Sequence, residues 1–430
     1  MLKLNAGEAA ATAGAGGFGP ALRVDAAIGR APAAHLPASD AAAGGGARFH
    51  ILDGWRGVAA LLVALYRFQA DGWLFHTGVV RHAGLFVDFF FVLSGFVIAH
   101  AYFDRLRDGQ SLSNFVIRRF GRLWPLHAAM FVPFFLFEAA RYYASLKGAQ
   151  GDVLAPFSGY RAPGTIPVEL AFLNSVGLYQ ATGWNTPSWS ISSEFWTYIL
   201  FGALCIPGRR AMPLIAGALV LAALAVGWRN GHGDFDMTFG LGTLRCVAGF
   251  FAGVSVNLLW RASRDRAQTH RGLFGAAEIP VVLLAFGFVA YAGGTPASFA
   301  APFVFGALVY CFAAEAGPMS RAMNNAPFRL LGDLSYSIYM TALLIALVGG
   351  RAIVAVAGRL GYEIAHETQA AGETHEVFGF AAPLVNDLLA LAYLVAVVAV
   401  SYLTWRFIEK PGRRWFNGLA DRVSGVRAAD

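Results

Sequence analysis

Apolar residues recur along the chain in blocks long enough to cross a lipid bilayer. The blocks fall at about 52–70, 85–103, 123–143, 189–206, 212–228, 239–260, 277–293, 298–316, 333–350 and 386–405. Each is close to the ~20 residues that a helix needs to traverse ~30 Å of hydrocarbon. The pattern predicts an all-α polytopic membrane helix bundle of about ten transmembrane helices. Residues 49–416 form its transmembrane domain, residues 1–48 a disordered Ala/Gly-rich N-terminal tail, and residues 417–430 a short cytoplasmic tail. An even number of crossings leaves both termini on one side.

Charge sharpens this picture. Only 14% of the residues are charged and 57% are hydrophobic, whereas a soluble chain carries roughly a quarter charged residues. The net charge of +7 therefore reads as loop asymmetry and not as nucleic-acid binding. One set of loops holds Arg105, Arg107, Arg118, Arg119, Arg122, Arg209, Arg210, Arg261, Arg264, Arg266, Arg271, Arg321 and Arg329; the other holds few cations. The positive-inside bias puts the first set, and both termini, in the cytoplasm. Two long outer connections, about 144–188 and 351–385, are candidate substrate-contact surfaces. Cys205, Cys246 and Cys311 each sit inside an apolar run with no partner or metal-ligand spacing, which predicts neither disulfide nor metal site.

The candidate chemistry lies in polar residues at membrane depth. Arg56 and Arg67 are eleven residues apart, so on a helix they share a face within about 20° and stand roughly 16 Å apart along the axis. An intramembrane arginine needs a wet cavity or a counter-charge, and Asp71, one turn after Arg67, is a candidate partner. The bland alternative ends the first span early and lets Arg67 snorkel outward. Asp88 opens the second span, with Ser94 and Gly95 at mid-span; small residues there also serve packing alone. Glu194 sits just inside the outer end of the fourth span, below Ser190, Ser192 and Ser193. Ser335, Tyr336 and Tyr339 form a polar face at the inner start of the ninth. The run Arg118, Arg119 and Arg122 suits phosphate or, equally, anionic lipid. His127 reads as a ligand contact or as a satisfied bundle histidine.

These stretches resemble the acyltransferase-3 family of bacterial integral-membrane O-acyltransferases. The resemblance rests on LDGWRGVAALLVALY, VDFFFVLSGFVIA, RRFGRLWPLH, PSWSISSEFWTYILF, LGDLSYSIYM and WRFIEKPGRRW, in the family's order over about residues 50–415. It implies ten spans in the bacterial inner membrane and a cytoplasmic acyl-CoA donor, acetyl-CoA foremost, with no bound cofactor. It implies an acceptor hydroxyl on a lipid-linked or exported glycan at the outer side. It also implies catalytic roles for Arg56, Arg67, Asp88 and Glu194, and acyl-CoA binding by Arg118, Arg119, Arg122, Ser335, Tyr336 and Tyr339. Membrane lipids are the remaining partners, and such a bundle is compatible with homo-oligomerisation.

Two positions depart from the family. Histidine is expected eleven residues after Arg56, where this chain has Arg67. A second histidine is expected after the Ser-Tyr-Ser stretch, where it has Ala342. Guanidinium cannot accept a proton near neutral pH, so the base falls to Glu194 or His127. The departures keep open a catalytically impaired protein that binds CoA or glycan without turnover. A transporter, with mid-bilayer polar residues lining a permeation path, is a third reading.

Overall fold

A computed structural model describes residues 49–148, 155–177, 183–230, 233–238, 240–370 and 373–424; the expected tail at 1–48 lies outside them. Each of the ten apolar blocks coincides with a helix: α1 (His50–Arg67), α2 (Phe86–Tyr102), α3 (Gly109–Leu146), α4 (Ser188–Gly208), α5 (Met212–Asn230), α6 (Gly242–Thr269), α7 (Arg271–Ala292), α8 (Ala301–Phe312), α9 (Ala326–Arg359) and α10 (Pro383–Thr404). Seven helical stretches among the described residues are long and apolar enough to cross a membrane. One of these holds both α4 and α5, and another runs from α10 to Val423; α1 and the short α8 fall outside the seven. The protein is an all-α polytopic membrane bundle.

Helix lengths depart from the apolar blocks where polar residues cap or extend them. The third block begins at residue 123, yet α3 starts at Gly109. Asp108 accepts a hydrogen bond from the Ser111 amide while the Ser111 hydroxyl accepts from the Asp108 amide, a reciprocal cap that satisfies two otherwise orphaned donors. With 38 residues, α3 is about 57 Å long and projects beyond any bilayer core. The chain end also departs from the expected tail. After a π-turn at Trp405–Glu409, α11 (Lys410–Val423) packs back along α3.

Packing pairs α1 with α9 and α2 with α6. Small residues permit both crossings. A Cβ on Gly95 would lie 1.8 Å from the Phe250 carbonyl oxygen, and one on Gly57 would lie 2.6 Å from the Leu331 carbonyl carbon. The second contact draws the Arg56 turn of α1 against the Gly332–Ser335 turn of α9.

One end of the bundle, here the near face, holds the start of α1 and the end of α10. The opposite, far face is covered by an antiparallel hairpin, β1 (Ala365–Ala370) and β2 (Glu373–Phe378), with Ala365 opposite Phe378. Asp71 anchors this hairpin: His76 Nε2 lies 2.6 Å from one carboxylate oxygen and His366 Nε2 lies 2.7 Å from the other. The expected Arg67–Asp71 pair does not form. Pairing at i,i+4 needs continuous helix, and α1 ends at Arg67, with Phe68 already extended.

Candidate active site

Five helices, α1, α2, α3, α4 and α9, surround a cavity of about 140 Å³. That is comparable to cavities that hold a benzene-sized guest. Its walls are largely aromatic and aliphatic, with Phe90, Phe91, Val97 and Ile98 from α2. Its polar lining includes Arg56, Arg119, Arg122, Glu194, Tyr198, Ser335 and Tyr339. Among the described residues Glu194 is the carboxylate lining it, facing three guanidiniums.

Each group is held by a named contact. On α1, Arg56 donates to the Ser335 hydroxyl at 2.8 Å and to the Gly332 carbonyl at 2.9 Å, and pairs with Asp53 at 3.1 Å. On α3, Arg119 donates to the Tyr102 hydroxyl at 3.3 Å and lies over its ring. Arg122, one turn on, pairs with Glu409 and lies over the Tyr336 ring. The Tyr336 hydroxyl donates to the Leu123 carbonyl at 2.6 Å, and the Ser337 hydroxyl donates to the other Glu409 oxygen at 2.8 Å. On α4, Glu194 accepts from Tyr198 at 2.5 Å, and the Tyr198 oxygen lies 2.9 Å from the Ser94 hydroxyl of α2. Toward the far face, the Ser190 and Tyr339 hydroxyls lie 2.8 Å apart. Both Arg56 and Arg122 thus have a carboxylate behind them, which fixes the guanidinium plane without filling the cavity.

Seven of the ten expected site residues line this space: Arg56, Glu194, Arg119, Arg122, Ser335, Tyr336 and Tyr339. Three are placed elsewhere: Asp88 and Arg118 by their rotation on the helix, and Arg67 by its height at the end of α1. The face of α2 toward the cavity carries Val87, Phe90, Phe91 and Ser94, which turns Asp88 toward α6. There Asp88 is fully buried and accepts from Arg245 Nε at 3.0 Å and Nη2 at 2.8 Å. Arg245 also pairs with Asp236 and lies over the Trp189 ring. Arg118 donates to Asn114 at 2.8 Å and pairs with Asp421 of α11, on the side of α3 away from the cavity. Arg67, the last residue of α1, stacks on the Tyr66 ring at the far end. It is not among the residues that line the cavity.

The alternative base, His127, is also outside. Its Nε2 lies 2.9 Å from the Glu169 carbonyl and its ring packs on Phe172. Glu169, in the loop helix Ile166–Leu170, accepts from the Ser188 hydroxyl at 2.6 Å, and burial pushes its carboxyl up to about 7. Ala342 is buried, and its carbonyl accepts from Tyr393 at 3.0 Å.

Sequence reasoning missed Tyr198, Glu409 and Arg245. Glu409 lies inside the quoted stretch WRFIEKPGRRW, and Arg245 is a lone cation in an apolar block. Arg245 carried the same signal as Asp88, a charge at membrane depth, whereas Glu409 falls just past the tenth block; Arg245 answers to Asp88 and Glu409 to Arg122, both far away in sequence.

A sequence model described as an acyltransferase domain matches residues 49–406. Protein 2 in the picA locus of Rhizobium radiobacter is 30% identical over 185 residues, covering 41% of this chain and 95% of that protein. The peptidoglycan O-acetyltransferase OatA of Listeria monocytogenes is 23% identical over 403 residues, covering 87% of this chain and 57% of OatA. The acyltransferase MdmB of Streptomyces mycarofaciens is 33% identical over 169 residues, covering 36% of this chain and 38% of MdmB. The chain therefore spans little more than half of OatA and over a third of MdmB. No solved structure matches it.

Proposed function

The chain belongs to the acyltransferase family whose model spans its residues 49–406, and from that premise we propose that it moves a short acyl group from acyl-CoA to a hydroxyl of a cell-surface or exported glycan. The observation that carries this reading is the cavity: one carboxylate, Glu194, facing Arg56, Arg119 and Arg122 between α1, α2, α3, α4 and α9. The relative OatA bears the name of a peptidoglycan O-acetyltransferase, which supports a glycan acceptor and an acetyl donor.

The chemistry follows from the groups present. The thioester enters from the near face and the acceptor hydroxyl from the far face. Glu194 takes the hydroxyl proton as the oxygen attacks the thioester carbonyl carbon, which removes the need for a histidine base. Negative charge moves onto the carbonyl oxygen, where a guanidinium of Arg119 or Arg122 stabilises it inside apolar walls. Collapse of this intermediate breaks the carbon–sulfur bond, and the departing thiolate takes the proton back from Glu194. The Tyr198 hydroxyl, donating to Glu194, fixes the carboxylate's orientation. A cavity of about 140 Å³ has room for a thioester head beside a hydroxyl.

We place the near face in the cytoplasm of a bacterial inner membrane, with both termini there. The support is the arginine asymmetry of the loops, which the positive-inside rule translates into orientation. The test is transfer of labelled acetyl from acetyl-CoA in membranes containing the protein, with mass spectrometry of cell glycans after gene deletion. Loss of one glycan O-acyl group on deletion is the expected result. An unchanged glycan profile, together with no label transfer, overturns the reading.

A further inference from the structure

Arg67 differs from other arginines at membrane depth. Arg56 has Asp53, Arg122 has Glu409 and Arg245 has Asp88. Arg67 has no carboxylate partner among the described residues, and its Nε is buried without an acceptor. The cause is local. α1 ends at Arg67 and Phe68 is extended, which carries Asp71 off to His76 and His366. Asp387, near the start of α10, accepts instead from the Leu74 amide at 3.0 Å. A buried guanidinium N–H left unpaired is destabilising until an acceptor reaches it.

The helix places this unpaired cation above the cavity. Arg56 lines the cavity, and Arg67 follows it by eleven residues of continuous helix. The two share a face within about 20°, with Arg67 roughly 16 Å nearer the far side. Contacts at both ends hold α1 against α9. Toward the near side, Arg56 donates to Ser335 at 2.8 Å. Toward the far side, the Tyr393 hydroxyl bridges the carbonyl oxygens of Ala64 and Ala342, 3.0 Å from each. The Phe68 ring stacks on Tyr393 at 4.4 Å. These contacts fix the rotation of α1 within a turn of Arg67. The guanidinium lies 5.5 Å from the centre of the Tyr66 ring, and Arg67 stays partly exposed.

We propose that Arg67 binds an acid group, carboxylate or phosphate, carried by the acceptor glycan beyond its reacting hydroxyl. This rests on the reading of the chain as a glycan acyltransferase whose acceptor arrives from the far face. A guanidinium fork suits either oxyanion, and in partly apolar surroundings the pairing is stronger than in open water. The donor comes in from the opposite face. The phosphates of phospholipids share this chemistry and are the competing source.

The acceptor for the test is the glycan that loses its O-acyl group on gene deletion, purified from the deletion strain. The full-length protein in nanodiscs receives it with acetyl-CoA in two forms. One is native; the other has its carboxylates reduced with carbodiimide and borohydride and its phosphates cleaved with hydrogen fluoride. The parent protein should prefer the native form, as a ratio of kcat/KM, by about tenfold or more. Arg67→Gln should bring that ratio close to one, and Arg67→Lys should keep most of it. Arg359→Gln, which removes an exposed charge from the far end of α9, should leave it unchanged. A parent ratio near one overturns the proposal without any variant, and so does a glycan that bears no acid group. A ratio unaltered by Arg67→Gln also overturns it. If that variant instead loses the thermal stabilisation that added phospholipid gives the maltoside-solubilised protein, the cation belongs to lipid. An unchanged glycan profile on deletion, with no label transfer, sinks the acyltransferase reading first and this proposal with it.

Discussion

The two faces of α2 handle membrane-embedded charge in opposite ways. Toward α6, Asp88 and Arg245 are both fully buried and form two hydrogen bonds with each other. Toward the cavity, Ser94 meets Tyr198, which in turn holds Glu194 across open space from Arg56, Arg119 and Arg122. In the first arrangement every charge is consumed by its partner, and the helices are locked. In the second the carboxylate and the guanidiniums surround a volume that a substrate can occupy. An ion pair closed on itself holds the bundle together; ions held apart by their own supports are available for chemistry.

This contrast makes separable predictions. Glu194→Gln should lower kcat by about 10²-fold or more and leave thermal unfolding and size-exclusion behaviour as in the parent. Turnover near the parent rate would remove the carboxylate from the proton transfer. Asp88→Ala should do the reverse. It leaves Arg245 buried with only Asp236 to answer it, at a cost of about 3 kcal/mol, read as a lowered unfolding temperature and a smaller folded yield. Per folded molecule, its kcat should stay within a few fold of the parent. A specific loss of turnover without loss of stability would place Asp88 in the reaction after all.

Arg122 belongs to both categories, since it lines the cavity and is paired behind it. Arg122→Gln should raise the donor KM several fold and also destabilise the protein by about 1–3 kcal/mol, because Glu409 is left buried without its cation. Adding Glu409→Gln should restore most of the stability and none of the donor affinity. Equal recovery of both would mean that Arg122 acts on the fold alone.

The smallest effect is expected at the far-face hairpin. Burial alone would raise the Asp71 carboxyl, but hydrogen bonds from His366 and His76 bring it below its ordinary value, and the bond to Asp71 raises His366. A raised His366 contributes stability that is full below its unfolded value near 6.5 and fades as pH climbs through the folded value. A lowered Asp71 contributes above its unfolded value near 3.8 and fades as pH falls through the folded one. Hairpin docking should therefore be firmest between about pH 4 and 6.5. These groups are partly exposed, so the gain is well under ~1 kcal/mol. Hydrogen exchange at the Asp71 and Phe378 amides, corrected for intrinsic rate, reads it. Protection that keeps rising above pH 7 would remove the histidines from the anchor.

Sequence reading went furthest where one residue's surroundings decide the outcome. All ten apolar blocks became helices because hydrocarbon leaves a backbone no other partners than its own. Arg56, Glu194, Ser335 and Tyr339 were nameable because a polar group at membrane depth needs a reason. The misplacements arose one step later. Asp88 and Val87 are neighbours in the chain, yet a 100° turn sends one to Arg245 and the other to the cavity. The same turn separates Arg118, bound to Asp421, from Arg119.

The amino-acid sequence by itself determined that this is a membrane-embedded helical protein, where its apolar helices lie and which of them carry charge, because hydropathy and period are properties of short stretches. Only the tertiary structure decided which charges close on each other and which stay open around the cavity. That choice depends on partners such as Arg245 and Glu409, which stand 157 and 287 residues along the chain from Asp88 and Arg122 and come within reach only when the helices have packed.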